Sequence, residues 1–259
     1  MLRSIKQLFG DKLGGYDSEI GHVKDFYFDD KHWGVRYVVV DTGSWISGRL
    51  VLISPHAFDK FPQDGRTLPV NLTRRQIEDS PAIEAHKPVS RQYEEEYHRY
   101  YGWPYYWQGD ALWGMSGFPI LSKKSKPFRG EPRIGGVAKP ERVDAHLRSA
   151  RDVIGYPIQT GDEIVGFVTD FMMDDKSWIV CHLVVNTGNR FSGNKVLLSP
   201  SQVDRISWDE SKVYVKDTKE AILQTPASDG PIRVSGVVES RSVRSAAAKL
   251  GSKCPTLTS

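Results

Sequence analysis

The chain contains a second copy of itself. Shifting it by 145 residues lays Gly21 to Pro55 on Gly166 to Pro200 without a gap and with 19 identities in 35 positions. The same offset pairs Leu2-Arg3-Ser4 with Leu147-Arg148-Ser149, and Thr73, Ile77 and Pro81 with Thr218, Ile222 and Pro226. A unit of roughly 80 residues has therefore been duplicated. The 259 residues suit two small domains with connecting and terminal segments. A lone unit of this size buries only roughly 60% of its unfolded surface, so close association of the two copies is the expected source of further stability. Residues kept in both copies serve the fold first.

Each copy reads as strands and tight turns. Gly21 to Phe28 and Trp33 to Val40 are β-branched and aromatic, with Asp29-Asp30-Lys31 between them, and Asp174-Asp175-Lys176 repeats the turn between Phe171 and Trp178. Further glycines at Gly43, Gly48, Gly188 and Gly193 precede the apolar runs Leu50 to Ile53 and Val196 to Leu198, and suggest positive φ. Along Val35 to Val40 both alternating faces are largely apolar, as they are along Val180 to Val185. A strand exposed on one side alternates with polar residues, so the other repeat or a helix is expected to cover the outer face. Thr73 with Gln76 three residues on can cap a short helix that Pro81 stops, and Thr218 to Thr225 before Pro226 corresponds to it. The pattern is that of a small barrel or sandwich without long helices.

The net charge is +3, but residues 231–259 hold Arg233, Arg241, Arg244, Lys249 and Lys253 against Glu239 alone, which leaves the remainder slightly acidic. Tight nucleic-acid binding needs concentrated Lys and Arg, which the folded part lacks. The two cysteines, Cys181 in a strand-like run and Cys254 in the tail, form no disulfide framework and fit a reducing cytoplasm. No apolar stretch reaches the ~20 residues of a membrane span, and Met1 to Gly10 has no signal-peptide core.

These readings divide the chain into a first repeat at 1–90, an aromatic segment and linker at 91–144, a second repeat at 145–227 and a disordered basic tail at 228–259. The linker part, 114–146, carries scattered Gly, Lys and four prolines. The aromatic part holds nine rings in the 21 positions 93–113 and has no counterpart in the second copy. Stacking on nucleic-acid bases is disfavoured by the neighbouring Glu94, Glu95 and Glu96. The segment is expected either to wrap back over the barrels or to anchor a protein partner, a second copy of the chain being one form of this, through Trp103, Tyr105, Tyr106, Trp107 and Trp113.

Leu2-Arg3-Ser4, Gly21 through Asp30, Trp33, Arg36 through Gly43 and Val51 through Pro55 together resemble the PRC-barrel domain, a family that includes the cytoplasmic domain of the photosynthetic reaction-centre H subunit and the C-terminal domain of a ribosome maturation factor. The likeness covers residues 1–85 and, less strongly, 145–226. It implies an all-β fold of two small antiparallel barrels in tandem with short helices, related by pseudo-two-fold symmetry. Known members act in assembly or regulation of larger complexes without catalysis of their own. The chain looks like the stand-alone bacterial tandem-barrel proteins, while the H-subunit likeness suggests an accessory factor of a photosynthetic or electron-transfer membrane complex.

Catalytic chemistry weighs less. Asp25, Asp170 and the acidic pairs could serve as general acids or cation ligands, but the pairs sit at turns that explain them. The histidines, His22, His32, His56, His86, His98, His146 and His182, show no zinc spacing, and none is retained at the offset. Cys181 beside His182 points to the opposite face of its strand and reads as a structural core residue. Gly188 to Lys195 lacks the Gly-Lys-Ser/Thr ending of a phosphate loop. The expectation is a non-enzymatic cytoplasmic scaffold with no catalytic, cofactor or metal residues; an inter-barrel cleft that binds a small ligand or acts as an enzyme is the alternative.

Overall fold

A computed structural model describes residues 1–46, 48–62, 67–81, 91–119, 147–161, 163–188 and 193–224. In chain order its strands are β1 Leu2–Ser4, β2 Lys12–Gly14, β3 Glu19–Asp29, β4 Val35–Asp41, β5 Leu50–Ile53, β6 Thr67–Pro69, β7 Leu147–Ser149, β8 Pro157–Thr160, β9 Glu163–Asp174, β10 Val180–Asn186, β11 Lys195–Leu198, β12 Val203–Ser207 and β13 Lys212–Val215. The helices are α1 Ile5–Leu8, α2 Arg74–Glu78, α3 Arg91–Tyr101, α4 Ala150–Val153 and α5 Lys219–Leu223. The fold is all-β with short helices. Among the described residues no helix is long and apolar enough to cross a membrane. The tail, including Cys254, and most of the proline-bearing linker lie outside the described residues.

Two compact units result, and each draws on both repeats. Unit 1 gathers Met1–Phe9, Phe28–Val35 and the chain from Arg148 onward, while unit 2 holds Gly10–Tyr27 and Arg36–Leu147. In unit 1 the strand order is β11-β10-β9-β8-β13-β12, with β1 of the first repeat added to β9 of the second in the register Leu2↔Asp174 to Ser4↔Met172. Arg3 seals that pairing with Asp175 at 3.2 Å, and at the offset position Arg148 meets Asp30 at 2.6 Å. The hairpin tips of both repeats also meet there: Val35 N–H donates to Trp178 O at 2.8 Å and Val180 N–H to Trp33 O at 2.7 Å.

The sheet of unit 2 carries the order β5-β4-β3-β2-β6. Each sheet contains a parallel pair, β2 with β6 and β8 with β13, beside antiparallel neighbours such as β4 with β5 and β9 with β10. The sheet of unit 1 has to curl into a barrel. Leu198 and Val203 are five residues apart, about 18 Å when extended, whereas a flat path of six strands would hold its edges about 24 Å apart. In unit 2 the bridge Phe58↔Val70 stands at the offset position of Val203↔Val215.

The conserved turn residues act as read. Asp29 Oδ1 accepts from Lys31 N–H at 2.9 Å and His32 N–H at 3.2 Å, and Asp174 Oδ2 accepts from Ser177 N–H at 2.9 Å. This locks Trp33 and Trp178 into left-handed backbone at φ 58° and 59°. Gly43 and Gly48 do have positive φ, but Gly193 is needed for space, since a Cβ there would lie 2.3 Å from Asn186 Oδ1. The capping box of Thr73 and Gln76 opens α2, and Thr218 caps α5.

Candidate functional site

The expected cover over the first repeat's central strand is present. In unit 2, α3 and the turns after it lie on β4. Glu94, Tyr97, His98 and Tyr101, spaced i, i+3, i+4 and i+7, form the buried face of α3, while Glu95, Glu96 and Arg99 face solvent. Tyr37 packs edge-on against Tyr97 at 6.3 Å, Tyr101 stacks on Trp103 at 4.2 Å, and Tyr100 hydroxyl donates to Gln76 O at 2.9 Å. Of the five residues singled out as partner anchors, Trp103, Tyr106 and Trp113 are buried within the chain, while Tyr105 and Trp107 remain half-buried. The partner surface these five can offer is thereby narrowed to the edges of two rings.

Under the rings lies a polar cluster. Tyr37 hydroxyl stands 2.8 Å from Glu94 Oε1 and 3.0 Å from His98 Nε2, and Tyr106 hydroxyl donates to the same Glu94 oxygen at 2.6 Å. His98 Nδ1 is 2.9 Å from Pro104 O. Arg36 Nη1 donates to Leu112 O at 2.7 Å, and its guanidinium lies 4.1 Å from the Tyr106 ring centre and 5.0 Å from that of Trp113. His56 sits edge-on to Trp113 at 5.2 Å. Tyr37, His56, Glu94, His98 and Trp113 are all 0% exposed. Burial, and then the Glu94 charge, hold the Tyr37 phenol well above its ordinary range.

At the offset positions the second repeat has Cys181, His182 and Ser201 where the first has Arg36, Tyr37 and His56. Cys181 is buried at a bulge between Val180 and His182. Burial lowers the proton affinity of His182. Asp170, the other acid weighed from the sequence, accepts from Ser4 Oγ, Lys6 N–H and Phe171 N–H, so it positions α1 and β1.

The cluster was missed in the sequence because its members are scattered over residues 36–113 and only one repeat has them. Two signals were available. The i, i+3, i+4, i+7 spacing of 94, 97, 98 and 101 marks a helix face, and the differences between the repeats at 36, 37 and 56 mark the strand beneath it.

A family profile described as PRC-barrel domain matches residues 4–75 and 146–222. A search of curated proteins finds no match to the chain.

Proposed function

Because the chain belongs to the PRC-barrel domain family through both repeats, we propose that it is a non-enzymatic cytoplasmic scaffold or adaptor that assembles with a protein partner through the capped first barrel. The observation that carries this reading is the direction in which the cap spends its side chains. Its polar groups turn inward, and Glu94 and His98 have no solvent contact through which a substrate could reach them. The Trp113 side chain is buried and its backbone N–H donates to Ser116 O at 2.9 Å, while Met115 on the same turn is 88% exposed and Phe118 is 57% exposed. Apolar side chains held outward by a fixed loop are the usual makings of a contact site. Tyr105 and Trp107 add their exposed edges. The outward Glu95 and Glu96 favour a protein partner over a phosphate backbone.

Affinity purification of the full chain tests this against a Met115→Asp, Phe118→Asp double variant. The variant is expected to keep the wild-type melting temperature and lose the specific partners. Identical partner sets for two folded proteins would contradict the reading.

A further inference from the structure

The contacts around Tyr37 require more protons than neutral histidine and ionised glutamate supply. Pro104 O can only accept, so His98 Nδ1 carries a proton. The Tyr37 hydroxyl has one proton and two neighbours, Glu94 Oε1 at 2.8 Å and His98 Nε2 at 3.0 Å. If that proton goes to Glu94, Nε2 must donate to the phenol oxygen, because two facing lone pairs at this distance repel. If it goes to His98, Glu94 must itself be protonated.

The Tyr106 contact favours the first. Two phenols converge on one Glu94 oxygen, and an ionised oxygen accepts both, whereas a protonated one would have to donate to Tyr37 while accepting from Tyr106. We infer that the cap encloses a proton-binding site in which His98 is an imidazolium, bridged by the Tyr37 hydroxyl to the Glu94 carboxylate. The inference does not depend on the scaffold reading.

The groups facing His98 are Tyr37 from β4, Glu94 from its own helix, His56 at 6.4 Å, and Tyr105, Tyr106, Trp103 and Trp107 from the turns after α3. Arg36 is the cation that opposes a second positive charge. Its guanidinium is engaged by Leu112 O and by the faces of Tyr106 and Trp113.

The consequence is a latch sensitive to pH. A histidine that keeps its second proton in the closed state binds it more tightly there than in the open or unfolded chain, where it titrates near about 6.5. Cap closure is therefore favoured in full below about pH 6.5. Above it, closure is lost by up to about tenfold per pH unit until the closed state also releases the proton.

Nitrogen NMR on the full chain with labelled histidine rings at pH 7.5 tests the assignment, with His98 identified by its contacts to the Tyr37 ring. Both ring nitrogens are expected at protonated positions, and Tyr37→Phe should leave Nε2 of His98 deprotonated at that pH. A wild-type His98 with deprotonated Nε2 would overturn the inference. So would a protonated carboxyl band in the infrared spectrum that Glu94→Gln removes. The wild-type nitrogen readout does not depend on a variant folding.

Discussion

Strands β4 and β10 hold equivalent places in the two repeats and meet different surroundings. Beside the turns that both repeats share, β4 carries Arg36 and Tyr37 beneath an aromatic cap, while β10 carries a buried Cys181 and His182. The Tyr37 hydroxyl finds Glu94 and His98 on α3, whereas His182 Nδ1 is buried without a hydrogen-bond partner among the described residues. The duplicated fold thus preserved the residues that bend the chain, Asp29 with Trp33 and Asp174 with Trp178. It changed those on the strand face, where a new element could be accepted. Burying Arg36 without the cap, or Glu94 without Tyr37 of β4, would leave a charge poorly compensated, so the cap and the strand depend on each other.

The largest effect that separates the units is expected from Trp113→Ala. This empties a fully buried ring site under Arg36 and His56 and should destabilise unit 2 by about 3–5 kcal/mol. Hydrogen exchange should show protection lost along β4 and kept along β10; equal loss in both strands would break the distinction between them.

Alkaline titration sharpens the same comparison. Burial raises the phenols of Tyr37, Tyr93, Tyr97 and Tyr101, and that of Tyr100 to about 12. Because these folded-state values lie above the ordinary value of about 10, the stability they confer is complete below about pH 10 and falls as the pH rises through the folded values. Tyrosinate absorbance should therefore rise steeply above about pH 10 as the cap opens, with β4 amides exposed before those of β10. Gradual titration near pH 10 with β4 still protected would contradict the burial of these rings.

Much of the fold was legible because its signals are local. Two adjacent aspartates, a Thr-x-x-Gln capping box and alternating β-branched residues each specify a turn, a helix start or a strand within a few positions. The need for a cover on Val35 to Val40 was legible too, from apolar residues on both faces. The identity of the cover was obscured because Tyr93, Tyr97, Tyr100 and Tyr101 read as aromatic density before they read as a helical period. Glu94 counts with Glu95 and Glu96 against phosphate in the sequence, whereas the helix turns it inward. The addition of β1 to β9 could not be read at all. Three residues carry no pattern that fixes a pairing partner, and Arg3 with Asp175 becomes informative only once the register is known.

The most direct test of the account is a double-mutant cycle on the full chain with Tyr37→Phe, Glu94→Gln and both together, followed by equilibrium unfolding. If the cap is fastened to β4 through this pair, the two changes should couple by about 1–2 kcal/mol. Additive effects within about 0.3 kcal/mol, as for independent sites, would show that the hydroxyl and the carboxylate do not meet, and would contradict the fastening of α3 to the first barrel.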